Sequence, residues 1–377
     1  MLVLAVSEGL LQPQTFVTAQ RLALSLLIGL ALSGCARVIG HASYGSENRF
    51  EPRARIIARA QVWRPTNVRS MDMKKGPQRA GAFAPRAIVY CDFLDKKLDG
   101  NSPKFACRIG ADDEVKVKYG GTNGEVYGEV LATRLLWALG FGADAMYPVN
   151  VICRGCPRSF GGIARSGNEY RFDPAVIERK SEDAELEVEG GHGWSWEELD
   201  QIDTTSGGVP KAHRDAFKLL AVFLQHTDSK PQQQRIVCLG LLRPTARSCD
   251  RPFLMISDVG LTFGGAASTN ANELAGVNLE RWRGKPVWKE REGCVGNLPR
   301  SFTGTLDDPI ISEGGRRFLA NLLAQLSDRQ IRDLFEVARV NLRLRAPGHV
   351  DSGYSSVDDW VKAFKQKRTE ISERRCA

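Results

Sequence analysis

The sequence has few histidines and none of the short signatures that mark the commonest enzyme classes. Its 377 residues include five histidines, and their spacing is not typical of metal ligands. Gly-x-Ser-x-Gly, His-Glu-x-x-His and Walker-type phosphate loops are absent, which argues against the enzyme classes that these motifs identify. Low-complexity stretches and internal repeats are also absent, so the composition is that of an ordinary globular chain.

A long apolar run is missing too, which argues against a membrane-spanning helix. The apolar stretch at residues 22–32 has eleven positions, whereas crossing a bilayer takes about 20. It follows Arg21 and ends at Ser33-Gly34-Cys35, as the apolar core and cleavage zone of a signal peptide do. Residues 1–34 are therefore predicted to be a signal peptide.

The end of this stretch, Leu32-Ser33-Gly34-Cys35, resembles the bacterial lipobox. The resemblance implies that Cys35 is lipidated and becomes the first residue of the mature chain. The next residue is Ala36, and alanine at this position resembles the pattern in lipoproteins that are sent to an outer membrane. We expect a lipid-anchored protein of the cell envelope, on the outer membrane and facing the periplasm.

Positive charge is concentrated in one segment. The formal net charge is +8, and residues 36–86 carry eleven Lys or Arg against three acids, while residues 87–377 are balanced. A neutral body argues against nucleic acid as a partner. We interpret residues 35–85 as a basic tether, which either lies on an anionic lipid surface or is a solvated linker.

Eight cysteines remain besides Cys35, and an even number in an exported chain favours disulfides. Cys153 and Cys156 form a CxxC without the second pair that a zinc site needs, so a disulfide is expected there, with Cys294 as an alternative partner. Cys376 is expected to have no partner. Two further pairs are predicted because they flank hairpins: Cys91 with Cys107, and Cys238 with Cys249.

The pattern after residue 86 predicts strands and one helix, which together define a domain at 86–160. Strands are expected at 87–93, 104–109, 114–119 and 146–153, and the helix at 125–139. Pro148 favours an edge position for the last of these strands.

The second half of the chain predicts a mostly helical domain at 211–377. Residues 161–210 are polar and irregular, and we interpret them as an insertion between two lobes. A helix with a strong apolar stripe is predicted at 212–226, two strands flank a turn between 235 and 257, and capped helices follow.

Five charged residues lie at informative places in this order of elements. Lys118 is on the third strand, Glu129 is one turn into the first helix, Asp228 and Lys230 form Asp-x-Lys after the next helix, and Asp258 begins Asp-Val-Gly after a strand. This order resembles the protein-kinase-like fold, in the atypical branch that includes phosphatidylinositol kinases, HipA-type kinases and secreted kinases such as CotH. Short stretches around Lys118 and Asp258 are also similar to uncharacterised bacterial proteins of this layout.

The resemblance spans roughly residues 85–345 and implies an α+β, two-lobed fold. The N-lobe would be a small antiparallel sheet with one helix, and the C-lobe would be mostly helical. It also implies ATP and Mg²⁺ as cofactors.

Phosphoryl transfer needs a lysine against the α- and β-phosphates and an acid that holds this lysine. Lys118 is the candidate lysine, and Lys116 on the same strand face is the alternative. Glu129 is the candidate acid by resemblance, and Glu125 one turn earlier is the alternative.

The resemblance also assigns roles at the acceptor side of the site. Asp228 would orient or deprotonate the acceptor hydroxyl, and Lys230 would neutralise the transferring phosphoryl group. Asp258 is the expected Mg²⁺ ligand. Where kinases carry a metal-binding asparagine, five residues after Asp228, this chain has Gln233, whose amide oxygen is the same type of ligand.

A Gly-x-Gly-x-x-Gly cover for the phosphates is absent. The turn at residues 99–104 either takes its place, with backbone N–H groups and Ser102 or Lys104 facing the phosphates, or is only a β-turn.

We therefore expect an exported, kinase-like lipoprotein that transfers a phosphoryl group to a hydroxyl acceptor. ATP is scarce outside the inner membrane, so a non-catalytic envelope scaffold with the same fold is the alternative hypothesis. An unrelated disulfide-bonded fold would place Asp228 and Asp258 far apart.

Overall fold

The computed structural model describes residues 51–240, 242–243, 248–265, 276–290, 292–343 and 355–376. All of them belong to one structural unit, Asn48–Ala377. The predicted signal peptide and Cys35, the predicted lipidation residue, lie outside these residues. Among the helices that are described, none is both long and apolar enough to cross a membrane.

The segment at 51–85 packs against the rest of the protein. It begins with helix α1 (Arg53–Ala58), whose Ile56 and Ile57 are fully buried in the main hydrophobic core. Its Arg53 donates to Glu198 at 2.6 Å. Burying each such isoleucine contributes roughly 1.5–3 kcal/mol, which helps to offset the conformational freedom that the segment loses when it packs. The predicted basic tether is therefore wrong for residues 51–85.

Residues 88–179 form a mixed sheet that closes on itself. Its strands run in the order β3-β2-β1-β4-β6-β5, and β3 also pairs with β6. They are β1 (Ile88–Leu94), β2 (Lys104–Ile109), β3 (Asp113–Tyr119), β4 (Ala145–Arg154), β5 (Ile163–Ala164) and β6 (Glu169–Arg179). Because β1 and β4 are parallel, the prediction of a purely antiparallel sheet is wrong.

Strand β6 also corrects the predicted insertion at 161–210. It pairs with both β3 and β4, so this part of the chain is integral to the sheet. Its inward-facing Phe172 and Ile177 are buried, whereas charged residues such as Arg171 face outward. Because of these outward charges, the sequence of the stretch is polar overall.

Strand β4 lies between β1 and β6, so the edge position predicted from Pro148 is wrong. The Pro148 carbonyl accepts from the Arg86 N–H, two residues before β1 begins. The proline nitrogen points to this same side, where no strand yet requires a donor.

Helix α2 (Glu125–Leu139) connects the sheet to the rest of the fold, at the predicted position. All its residues except Trp137 are buried, so the helix is covered on every side. It belongs to the main core, whereas the interior of the closed sheet is a separate cluster.

The remainder of the described chain combines five α-helices with small sheets. The strands are β7 (Ala184–Glu185), β8 (Gln234–Cys238), β9 (Leu242–Arg243), β10 (Ser248–Cys249) and β11 (Pro252–Ile256). The helices are α3 (Lys211–Leu224), α4 (Leu279–Gly284), α5 (Glu313–Leu323), α6 (Asp328–Val337) and α7 (Val357–Glu373). Strands β7, β8 and β11 form one sheet, and α3 packs on α5.

All eight cysteines of the body are paired. Cys91–Cys107, Cys153–Cys156 and Cys238–Cys249 are the predicted disulfides, and the fourth joins Cys294 to Cys376. The expectation that Cys376 has no partner is therefore wrong. Helix α7 returns the end of the chain to the loop that carries Cys294, a proximity that no local pattern reveals.

Candidate active site

A cleft of about 320 Å³ collects the predicted site residues. Apart from Glu129, every residue predicted to act in catalysis, nucleotide binding or metal binding lines it. Strands β2 and β3 contribute Lys104, Lys116 and Lys118, the turn before β2 contributes Ser102, and α2 contributes Glu125. The segments after α3 and β11 contribute Asp228, Lys230, Gln233 and Asp258. Asp99, Gly100 and Asn101 of the turn at 99–104 also line the cleft, and Gln232 and Leu261 line it without having been predicted there.

Lys118 lies among three carboxylates. Its side chain is buried on β3, and its Nζ donates to Glu125 Oε2 at 2.6 Å and to Glu129 Oε1. Asp258 Oδ2 is 3.8 Å from the same nitrogen. The sequence offered Glu129 and Glu125 as alternatives, and the structure shows that both acids contact the lysine.

The three carboxylates control the charge of this cluster. Burial alone lowers the pKa of Lys118, but Asp258, Glu129 and Glu125 raise it well above its usual value. Burial raises the pKa of Glu129 to about 8, against the effect of Lys118. Burial also acts to raise the pKa of Asp258, yet Lys118 and the Gly260 N–H hold it at about 2. Asp258 is thus a firmly ionised acid at the edge of the cleft.

Two glycines allow α2 to approach the Asp258 segment. A Cβ on Gly128 would overlap the carbonyl oxygen of Gly260, and a Cβ on Gly260 would lie 2.5 Å from Glu125 Cγ. A side chain at either position would separate the acids of α2 from Asp258. Gly128, placed between the two glutamates of a helix, is the signal in the sequence that could have indicated this contact.

Lys116 also faces the cleft, as the alternation of β3 predicts, but its partner is different. It forms an ion pair with Glu178 of β6, and about a third of its side chain is exposed. Lys118, rather than Lys116, is therefore the lysine that α2 holds.

The loop after α3 positions Asp228. Its carboxylate oxygen Oδ2 accepts from Gln233 Nε2 at 2.8 Å and lies 3.5 Å from Lys230 Nζ. The other oxygen, Oδ1, is buried and has no hydrogen-bond partner among the described residues. The loop is fixed from behind, because Thr305 donates to the Ser229 carbonyl at 3.0 Å.

The donor set suits a hard cation. The amide oxygen of Gln233 is buried without a partner in the described part of the chain, and the ionised Asp258 lines the same cleft. Carboxylate and amide oxygens are the ligands that Mg²⁺ prefers. The acids of α2 also lie within 4.8 Å of Asp258, but there the Lys118 ammonium contacts all three carboxylates.

His226 lies two residues before Asp228 and is buried. Burial lowers the pKa of its imidazole to about 4, although Asp228 and Asp258 act to raise it, so the ring is neutral at pH 7. Neither ring nitrogen has a partner among the described residues, and the ring centroid is 6.2 Å from that of Trp196.

The turn between β1 and β2 covers one side of the cleft. Ser102 is nearly buried, and Lys104 Nζ donates to its hydroxyl at 3.3 Å. Burial and the nearby Lys118 lower the pKa of Lys104. Ser102 and Lys104, the side chains expected to face the phosphates if this turn is a phosphate cover, thus both lie at the cleft.

Comparison with known proteins gives structural neighbours only. No protein-family model matches the sequence, and no curated protein matches it. Among solved structures, the chain is similar to the Helicobacter pylori proinflammatory kinase CtkA, with a TM-score of 0.40 and 11% identity over 77% of this chain and 95% of that one. It is also similar to HipA in a Shewanella oneidensis MR-1 toxin–antitoxin complex, with a TM-score of 0.28 and 12% identity over 74% of this chain and 66% of that one.

Proposed function

We propose that this protein is an atypical kinase, which binds ATP with Mg²⁺ and transfers the γ-phosphoryl group to a hydroxyl acceptor. The observation that carries the proposal is the convergence of Lys118, Asp228 and Asp258 on one cleft from three separate parts of the chain. In this proposal, the sheet at 88–179 is the N-lobe, the part that carries α3 to α7 is the C-lobe, and the nucleotide lies between them.

Different residues of the cleft would bind the phosphates and the metal ion. Lys118 would contact the α- and β-phosphates, and the two glutamates of α2 keep its ammonium in place. Asp258 and the amide oxygen of Gln233 would hold Mg²⁺, which when bound neutralises phosphate charge.

Asp228 would act on the acceptor. Its Oδ2 is occupied by Gln233 and Lys230, so Oδ1, which has no partner among the described residues, is the oxygen that would accept the hydroxyl proton. Lys230, whose Nζ lies 3.5 Å from Asp228 Oδ2, would stabilise the negative charge on the transferring group.

The test is the rate of γ-phosphoryl transfer and ATP consumption by the full chain and by Asp228→Asn. The substitution keeps the shape of the side chain but removes its basicity, so we expect roughly a 100-fold loss or more with ATP binding retained. An equal rate in both proteins would contradict the role of Asp228.

A nucleotide-binding scaffold without transfer activity is the second candidate. The contact that favours it is the Gln233 amide nitrogen, which donates to the carboxylate of Asp228 at 2.8 Å and occupies one of its oxygens. Mg²⁺-dependent ATP binding without any turnover in the wild-type chain would support this function.

We also propose that the protein is exported and anchored to the outer membrane through Cys35. Support comes from the lipobox-like sequence and from four disulfides, which persist in oxidising compartments. Labelling with a fatty-acid analogue should modify the wild-type chain and not Cys35→Ser. Labelling of both proteins, or of neither, would contradict the anchor.

A further inference from the structure

A second depression, of about 420 Å³, borders the segments that lead to Asp228 and away from Asp258. Its walls include Gln225, the pair Gly264–Gly265, and two basic residues, Arg281 and Lys285. Except for these shared segments, its lining is separate from that of the nucleotide cleft.

One polar group in the wall of the depression is the side-chain amide of Gln225. Gln225 ends α3 in a left-handed conformation and is 3% exposed. Its Nε2 makes no hydrogen bond within the part of the chain that the structure describes. A buried N–H group left without an acceptor is unfavourable, so an acceptor at this place would stabilise the protein.

The charges around the depression are mainly positive. Arg281 is exposed, and neither it nor Lys285 forms an ion pair with a described residue. Burial lowers the pKa of Lys285, and Asp308 opposes this only in part. Glu280 also lines the depression, but its carboxylate is paired with Arg283 at 2.6 Å.

The backbone around the depression is strained. Phe263 has a φ of 54° and Val277 a φ of 46°, values that β-branched and bulky residues rarely adopt. Gly264 and Gly265 follow with φ of 133° and 70°. The Phe263 N–H donates to the Leu224 carbonyl at 2.7 Å, which ties this wall to the end of α3. Strain of this kind persists where the surrounding structure holds a functional shape.

We propose that this depression is a binding site for a phosphate group, held by Arg281, Lys285 and the amide N–H of Gln225. Charge-assisted hydrogen bonds from a guanidinium and an ammonium are the usual means of holding phosphate. The group would come from a free phosphate ester or from a phosphorylated side chain, since both present the same oxygens. This site goes beyond the nucleotide cleft, because Arg281 and Lys285 do not line that cleft.

The experiment measures stabilisation of the full chain by inorganic phosphate at constant ionic strength. It uses the background Lys104→Gln with Lys230→Gln, which removes two cations from the nucleotide cleft. In this background we expect phosphate to raise the melting temperature. Adding Arg281→Gln should weaken the apparent phosphate affinity about tenfold, through loss of one charge-assisted contact.

Adding Arg329→Gln instead is the matched control, because its side chain is 90% exposed and lies outside the depression. That change should leave the phosphate affinity unaltered. Arg281 is exposed, so its substitution is expected to leave the fold intact, and adding Lys285→Gln as well should abolish the effect.

Equal phosphate stabilisation in the Arg281 and Arg329 variants would overturn the proposal, as would its absence in the background protein. A phosphoserine peptide that binds more tightly than inorganic phosphate would support the site and identify a phosphorylated polypeptide as the source. Equal affinities would support a free phosphate ester. The readout needs no ATP binding or turnover, so failure of the proposed kinase activity would be distinguishable.

Discussion

Lys118 is the residue on which the electrostatics of the cleft depend. Taking an ammonium out of water costs several kcal/mol, and only partners at ion-pair distance offset that cost. Glu125, Glu129 and Asp258 supply them, and because burial raises the pKa of Glu129 to about 8, their combined negative charge is reduced at neutral pH. Asp258 remains ionised and faces the cleft.

Removing this ammonium should destabilise the protein strongly. Lys118→Met leaves buried carboxylates uncompensated, so we expect the free energy of unfolding to fall by about 3–5 kcal/mol at pH 7. Urea unfolding measures it. Lys116→Met is the matched control, because Lys116 is partly exposed, and it should cost less than half as much. Equal losses in the two variants would contradict the central role of Lys118.

The buried His226 should make the protein sensitive to acid. An unfolded histidine takes up a proton near pH 6.5, whereas the folded pKa is about 4, so stability declines as the pH falls through this range. The difference corresponds to about 3 kcal/mol. His226→Phe should therefore gain about 3 kcal/mol relative to wild type between pH 7 and pH 4, measured by urea unfolding. Parallel pH profiles for the two proteins would show that this histidine does not titrate as described.

At the residue scale, the sequence could predict which side chains meet but not how they pair. Motif order identified Lys118, Asp228 and Asp258, because each lies at a fixed place relative to a strand or helix. It left Glu125 and Glu129 as alternatives, since both lie on one face of α2, and both contact the lysine. The hydrogen bond from Gln233 to Asp228 depends on side-chain rotamers, which the spacing of residues in the sequence does not specify.

At the element scale, the close approach of α2 to the segment after β11 holds the site together. Gly128 normally weakens a helix interior by about 1 kcal/mol relative to alanine. Here its missing side chain lets the helix contact the carbonyl of Gly260. The unfavourable helix propensity of Gly128 is therefore offset by this close approach, which places Glu125 and Glu129 beside Asp258.

Gly128→Ala should consequently destabilise the protein by about 1–3 kcal/mol, through overpacking against Gly260, and should weaken ATP binding. Gly314→Ala in α5 is the control, because its Cβ would meet Ala212 at an ordinary 3.4 Å, and it should be neutral or stabilising by up to about 1 kcal/mol. Thermal unfolding and ATP titration measure both effects. A stabilised Gly128→Ala protein would contradict the packing.

Elements with regular apolar alternation were predictable, and their partners were not. Strands β1 to β4 and helix α2 lie at or near the predicted positions, because their buried faces are continuous. Strand β6 was missed, since its outward charges and Pro174 hide a buried face. The parallel pairing of β1 with β4 depends on the path of α2, which a strand pattern does not contain.

At the scale of the whole molecule, long-range contacts tie both ends of the described chain to its core. The segment at 51–85 covers the main core near its start, and the disulfide between Cys294 and Cys376 closes an 82-residue loop at its end. The sequence suggested a basic tether, either on a lipid surface or solvated, and an unpaired Cys376, because neither contact has a local signal.

Loss of this disulfide should cost more than loss of a shorter one. In the chain-entropy account, the loop closed by Cys294 and Cys376 contributes about 4–5 kcal/mol, and the 11-residue separation of Cys238 and Cys249 about 3 kcal/mol. We expect urea unfolding of the two double-serine variants to give losses in that order. The reverse order would contradict the entropic origin of the difference.

The central claim is that the cleft is a nucleotide site, and calorimetric titration of ATP with and without Mg²⁺ tests it most directly. Asp258→Asn removes the expected metal ligand, and Asp112→Asn, an exposed acid outside the cleft, is the control. We predict Mg²⁺-dependent ATP binding by the wild-type and Asp112→Asn proteins, and binding at least about tenfold weaker by Asp258→Asn. Absence of ATP binding by the wild-type chain, or equal binding by all three proteins, would contradict the claim.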